Sequence, residues 1–229
     1  MKITVLGKYG PYPAADGACS GYLVEDGNNK IVLDMGCGVL SRLMKYVDIK
    51  DIDCIFISHL HNDHTSDLLP LRYYLEEKGL KMNIVTAVQD DDAYFHKLFD
   101  GDEFNVISID ESKEISIGDM SLSFYKMHHT TLTYGIKIKG SRVVAYTADS
   151  MYCENVDKLF EGSDMVIADI SKQYGVNCPH MNTKIGKELA GRYSAKIIAS
   201  HIGADYNPSE EYENIYNIEI ATEMKQYEV

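Results

Sequence analysis

The chain has no tryptophan among its 229 residues, so a surface that stacks on a planar ring must use its 17 tyrosines or six phenylalanines. Tyr73, Tyr74 and Tyr134 are candidates, although tyrosines on helices more often pack than bind. Basic residues are also scarce. Lys and Arg number 22 against 35 Asp and Glu, a net charge of -13. Such a field repels polyanions at long range and disfavours unaided binding of nucleic acid. No apolar run approaches the roughly 18 residues of a membrane span, and residues 1–7 hold no signal-like stretch. These absences predict a cytoplasmic protein with no membrane partner. The five cysteines, Cys19, Cys37, Cys54, Cys153 and Cys178, are odd in number and form no CxxC. That usage fits a reduced compartment, with Cys54 as a buried thiol inside an apolar run. No GxSxG is present, and Gly36-Cys37-Gly38 lacks the Lys-Ser/Thr of a phosphate loop. Cys37 as a nucleophile fits less well than a loop role between two glycines.

Hydrophobic residues make up 45% of the chain, enough for a substantial core. No internal repeat and no low-complexity linker divides it, so residues 1–229 are expected to form one domain. Short strand runs fall at 3–6, 19–24, 31–33, 53–58, 83–88, 106–109, 115–117, 120–127, 133–138, 143–146, 165–170 and 196–200. Helical spacing falls at 38–46, after His64 as far as 79, and at 90–99, 153–160 and 182–193. A helix after His64 can hold Pro70 only near its first turn. The tail reads as a short helix followed by a stretch, 218–229, of no definite type. A strand-rich then helical pattern occurs in both halves, which predicts an α/β chain folded as a four-layer αββα sandwich.

The densest chemistry lies in Ser58-His59-Leu60-His61-Asn62-Asp63-His64. Three imidazoles and a carboxylate share six positions. On a strand they would not all face one way, so the run must be a turn at a strand's end. It can aim His59 and His61 at one cation, and Asp63 and His64 at a second. Imidazole and carboxylate without thiolate suit Zn, Mn or Fe. The bland alternative is surface histidines beside a helix cap, but a cap needs far fewer ligand-type residues. His129, Asp149 and His201 likewise follow strand runs, so these residues are expected to converge at one sheet edge. Asp149 could instead cap the following helix, and His201 could be an ordinary strand-end histidine. Only one of His128 and His129 can face a cleft on an alternating strand. His96 reads as a surface or packing residue.

His59, His61, Asp63 and His64 match the HxHxDH signature of the metallo-β-lactamase fold hydrolases. Gly17-Ala18-Cys19-Ser20-Gly21, the run His129-Thr130-Thr131-Leu132-Thr133-Tyr134-Gly135 and Ala199-Ser200-His201 extend the resemblance, which is to the ribonuclease Z-like zinc phosphodiesterase branch. The resemblance implies the same αββα sandwich and two divalent cations, most often Zn. It groups His59, His61 and His129 on one ion and Asp63, His64 and His201 on the other, with Asp149 bridging. A hydroxide shared by the two ions would be the nucleophile, and Asp63 would help orient it. It favours His129 over His128 as the ligand. His180, in a loop before a helix, would pass a proton to the leaving group together with Asp169. Asp169 stands where the branch usually has glutamate, one methylene longer. The plainer readings are a capping or surface histidine and a solvent-facing carboxylate.

The branch's endonucleases process tRNA 3′ ends with an arm rich in Gly and basic residues that this sequence lacks, and phosphate contacts need Lys or Arg. Small phosphodiesters therefore fit as well as an RNA 3′ end. The family is often dimeric, which makes a homodimer a further expectation. Two alternatives stay open: hydrolysis of a lactone, thioester or β-lactam on the same fold, and a metal- or nucleotide-binding module without turnover. A β-lactam is the least fitting of these, since such enzymes are usually exported.

Overall fold

The computed structural model describes every residue except Asp90, Tyr174, Val176 and Asn177. The first half lays down six strands: β1 (Lys2–Gly7), β2 (Gly21–Asp26), β3 (Asn29–Leu33), β4 (Cys54–Phe56), β5 (Met82–Thr86) and β6 (Phe104–Ser108). The second half lays down seven: β7 (Glu114–Ile117), β8 (Met120–Lys126), β9 (Tyr134–Lys139), β10 (Val143–Tyr146), β11 (Met165–Asp169), β12 (Lys196–Ser200) and β13 (Ile218–Ile220). A last strand, β14 (Gln226–Glu228), returns to pair with β1. Among the described residues these form two seven-stranded sheets, ordered β14-β1-β2-β3-β4-β5-β6 and β13-β12-β11-β10-β9-β8-β7.

The two sheets share one plan. β1, β2 and β3 pair antiparallel, and β3 to β6 run parallel. β8, β9 and β10 pair antiparallel, and β10 to β13 run parallel. Parallel strands need crossovers, and helices supply most of them. The helices are α1 (Val39–Leu43), α2 (Asn62–Thr65), α3 (Leu68–Lys78), α4 (Ala93–Phe99), α5 (Glu154–Phe160) and α6 (Thr183–Arg192). Ile3, Val24, Leu33, Phe56, Leu122, Ile136, Val144 and Ile167 meet between the sheets. Leu23, Val32, Ile55 and Ile84 face Leu43, Leu71 and Leu98 of the outer helices on one side. Val166 and Ile197 face Leu159 and Leu189 on the other. Apolar residues on both faces of the central strands thus produce the four-layer αββα sandwich. No helix of the described residues is long and apolar enough to cross a membrane.

Several boundaries differ from the sequence reading for local reasons. The strand read over 53–58 ends at Phe56, because the Ser58 amide bonds the Asp34 carboxylate instead of a neighbouring strand. The helix read after His64 begins earlier, at Asn62, and breaks in two. The Asp67 amide donates to Met35 O across the loop, and Pro70, in the first turn of α3, has no N–H to offer Ser66. Asp90 lies outside the described residues. α4 begins at Ala93, with the Asp92 side chain accepting from Tyr94 and Phe95 amides. The short tail helix is a 3-10 turn, Pro208–Tyr212. The stretch of no definite type contains β13 and β14, each three residues long. All five cysteines are free, with Cys54 buried and Cys37 exposed.

Candidate metal centre

Ligand-type side chains gather at one end of the two sheets, where the parallel strands finish. The turn after β4 supplies His59, His61, Asp63 and His64. The loop after β8 supplies His129, the end of β10 leads to Asp149, and the end of β12 leads to His201. Three positions at these strand ends take the left-handed backbone conformation: Asp34 (φ 59°), Ala148 (φ 53°) and His201 (φ 57°). None is glycine, so each holds a backbone strain on the order of 1–3 kcal/mol.

Among the described residues three donor groups share one carboxylate. His59, His61, His129 and Asp149 form the first, Asp63, His64, Asp149 and His201 the second, and Asp149, Asp169, His180 and His201 a third beside them. In the first, His59 Nε2 lies 3.0 Å and His129 Nε2 3.3 Å from His61 Nδ1. Asp149 Oδ2 lies 3.8 Å from His59 Nε2 and 3.9 Å from His129 Nε2. In the second, His201 Nε2 is 3.2 Å from Asp63 Oδ2 and 3.0 Å from Asp149 Oδ2. His64 Nε2 is 3.3 Å from Asp149 Oδ1. His64 Nε2 and Asp149 Oδ1 are both buried without a hydrogen-bond partner among the described residues. Native interiors rarely leave such atoms unpaired. A cation between them would satisfy both, and three-imidazole and imidazole–carboxylate sets fit a divalent ion of the Zn, Mn or Fe type.

The electrostatics prepare the donors. Burial pushes His59, His61 and His129 below the ordinary imidazole range, which keeps them neutral and able to ligate. Burial works against the charged form of Asp63 and Asp149 too. For Asp63 the neighbouring His64 and His201 outweigh it, for Asp149 His201 and His64, and both stay well below the usual carboxylate range. Burial also opposes charge on His64 and His201. The carboxylates around them prevail and hold His64 well above the ordinary value and His201 up to about 9. Without an ion these two imidazoles carry protons that ligation must displace.

Asp34 organises the turn. Its side chain is fully buried and accepts four hydrogen bonds. Ser58 N donates to Oδ1 at 2.8 Å, and Oδ2 accepts from Ser58 Oγ at 2.8 Å, Tyr146 OH at 2.8 Å and His64 Nδ1 at 2.7 Å. The Ser58 hydroxyl, its proton committed to Asp34, accepts from His59 Nδ1 at 3.0 Å. His129 Nδ1 donates to Pro179 O at 3.0 Å. Each of these imidazole bonds holds a proton on Nδ1, so the nitrogen left to a metal is Nε2, on His64 once its second proton is displaced. The sequence reading missed Asp34, although it ends a strand as the ligands do. It also missed Gly10. A Cβ there would sit 2.0 Å from His201 Nε2, so only glycine lets the backbone pass the imidazole. Gly36 is similar: its Cβ would meet Asp63 O at 2.1 Å.

His180 and Asp169 stand beside the centre. Asp169 is 2% exposed, not solvent-facing, and its Oδ2 is 2.7 Å from His180 Nδ1. The shorter aspartate therefore reaches the imidazole. The His180 ring stacks on His201 at 4.7 Å, and its Nδ1 is 3.9 Å from Asp149 Oδ2. Asp149 does not cap α5, whose N-cap is Cys153. His128 is exposed and its backbone pairs with Met151. His96 is exposed, 3.4 Å from Asp100 Oδ1. Tyr134 is buried in the core and Tyr73 points to solvent. Among the described residues, the tyrosine that lines the cavity next to His180 is Tyr206, which the sequence reading did not single out.

Residues 15–201 match the family described as "Beta-lactamase superfamily domain". The chain is 30% identical over 233 residues to the probable metallo-hydrolase YhfI of Bacillus subtilis (strain 168), covering 96% of each. The crystal structure of the metallo-beta-lactamase fold protein YhfI from Bacillus subtilis matches it with a TM-score of 0.91 at 27% identity, over 99% of this chain and 98% of that one. Ribonuclease Z of Methanopyrus kandleri is 30% identical over 158 residues, 66% of this chain and 54% of the relative, so the chain spans about half that enzyme's length. Human tRNase Z, short form, shares the fold, with a TM-score of 0.79 at 17% identity over 100% of this chain and 99% of that one.

Proposed function

The chain belongs to the beta-lactamase superfamily and is a metal-dependent hydrolase resembling its ribonuclease Z-like branch; from that premise we propose that it hydrolyses small phosphodiesters at a centre for two divalent cations. The observation that carries this reading is Asp149, a buried carboxylate that belongs both to the donor group of His59, His61 and His129 and to that of Asp63, His64 and His201. In this reading His59, His61 and His129 hold one ion, Asp63, His64 and His201 the other, and Asp149 bridges them. Divalent cations there, Zn first and Mn or Fe next, would supply Lewis acidity that activates water and neutralises charge on a phosphoryl oxygen.

The remaining chemistry falls to the chain itself. Asp63, bound to His201 on one side, presents its carboxylate to orient the attacking water. That oxygen bonds phosphorus as the P–O bond to the departing group breaks. The leaving oxygen then needs a proton. His180 supplies it from Nε2, because Asp169 holds Nδ1 at 2.7 Å. Asp169 positions the ring. The net charge of -13 favours a small substrate over an RNA 3′ end.

The test joins metal analysis of the purified protein to turnover of bis-p-nitrophenyl phosphate. Asp63→Ala is expected to abolish turnover, and undiminished activity in that variant would remove the mechanism. His180→Ala should slow a dinucleotide, whose leaving alkoxide needs a proton, by about 10²–10⁴-fold. Turnover of lactones or thioesters alone, indifferent to His180, would move the reading to ester hydrolysis. Tight metal binding with no turnover of any of these would leave a binding module.

A further inference from the structure

Next to the centre lies a cavity of about 370 Å³ whose wall includes His180. Its size is at the small end of ligand pockets, which run from roughly 300 to 1,000 Å³. It has room for one ring-sized group, not for a folded RNA. Pro11, Cys178, Pro179 and Tyr206 make its walls largely apolar. Lys172 supplies the cation, and no carboxylate belongs to the described lining. In a chain of net charge -13, that composition is unlike the surrounding surface. A neighbouring cavity of about 510 Å³ makes the contrast clear: it contains Lys8 but also Asp205, so its charge is mixed.

Lys172 is fixed in place. Its backbone bridges to Asn182, and Lys172 O accepts from Thr183 N at 2.9 Å, which ties together the two ends of the loop that carries His180. Its Nζ lies 3.3 Å from Gly10 O. Gly10 in turn rests against the His201 imidazole. Lys172 and His180 therefore line one cavity, and the ammonium rests on the residue that packs against His201.

We propose that this cavity receives the departing arm of the substrate, and that the arm is a compact aryl- or nucleoside-sized group bearing a second anionic group that pairs with Lys172. The inference rests on the phosphodiesterase reading above and adds to it the substrate class. Apolar walls take up the ring, and the ammonium pairs with a carboxylate or phosphate in a cavity whose described lining includes no carboxylate. Lys172 is then a specificity residue that acts on binding of the departing arm and not on its protonation.

The experiment compares methyl p-nitrophenyl phosphate with methyl 3-carboxy-4-nitrophenyl phosphate on the metal-loaded, full-length protein. Both leaving groups depart without protonation, so His180 does not confound the reading. The carboxylated ester is expected to show a KM about tenfold lower, the size of one charge-assisted hydrogen bond. Lys172→Met, which keeps the apolar stem, should erase that preference with kcat unchanged, and Lys172→Arg should retain it. An equal KM for the two esters in the wild type, or a preference that survives Lys172→Met, overturns the inference. If the wild type turns over neither ester, the phosphodiesterase reading falls. The inference is then read from binding of the free phenols by calorimetry. 3-Carboxy-4-nitrophenol should bind the wild type more tightly than p-nitrophenol, and Lys172→Met should cancel the difference; equal binding in the wild type refutes it.

Discussion

The substitution Asp34→Asn tests how the centre chooses its imidazole tautomers. It conserves shape and touches no proposed ligand atom. Its consequence follows from which oxygen takes which donor. The new carboxamide would keep its oxygen on the Ser58 amide, now bonded to Oδ1, and turn its NH₂ toward Ser58 Oγ, Tyr146 OH and His64 Nδ1, which now share Oδ2. The two hydroxyls can rotate and accept. The imidazole can accept only by moving its proton from Nδ1 to Nε2, and a protonated Nε2 has no lone pair for a metal. Loss of such a supporting bond costs metal affinity about 10–100-fold, or roughly 1.4–2.7 kcal/mol. A group that stays unsatisfied costs folding about 1–3 kcal/mol more. Competition against a chromophoric zinc chelator reads the first quantity and denaturant melting the second. The expected titration weakens both positions, the Asp63–His64–His201 position through His64 and the His59–His61–His129 position through His59, because the Ser58 hydroxyl loses Asp34 as the acceptor of its proton and can turn it to His59 Nδ1. A folded variant whose two affinities both match wild type would refute the tautomer argument.

Two further outcomes follow from other contacts. Gly10→Ala places a methyl 2.0 Å from His201 Nε2, so the imidazole must move. The Asp63–His64–His201 position should lose metal first, seen as reduced zinc content and a lower Tm, while Gly27→Ala, at a turn where a Cβ meets nothing within 4 Å, leaves metal content unchanged. Stability of the chelated protein should peak near pH 6.5. His201 is held up to about 9 in the fold, so its stabilising contribution is complete below 6.5 and fades as pH rises through about 9. His59, His61 and His129 are held below 6.5, so stability is lost as pH falls and the unfolded chain takes up protons that the native centre refuses. Thermal melts of chelated and zinc-loaded protein check this. Bound metal should flatten the alkaline fall, and a chelated protein that gains stability between pH 6.5 and 9 would contradict it.

The gathering of these side chains was legible because ligand chemistry needs particular side chains and the strand ends announce where they sit. Three imidazoles and a carboxylate in six positions have few other uses, and His129, Asp149 and His201 each follow a recognisable apolar run. The supporting groups were not legible, because their meaning lies in partners distant along the chain. Asp34 acts on Ser58, His64 and Tyr146, which stand 24, 30 and 112 residues away. Gly10 is one glycine in a glycine-rich loop until the His201 ring is set against it. The αββα layering could be read from apolar runs in both halves. The shared order of antiparallel then parallel pairing could not, since no residue-level repeat marks it. β13 and β14 are too short to show alternation, and the break between α2 and α3 depends on Met35 O, which belongs to another loop.

The donors divide between the halves of the molecule: four come from the turn after β4, and three from strand ends of the opposite sheet. An ion bound among them would act as a clasp, joining two layers that otherwise adhere chiefly through their apolar faces. Loading should therefore slow amide exchange in β4 and β12 together, although these strands pair with different neighbours. The sandwich would then open as one unit when loaded and as two when stripped.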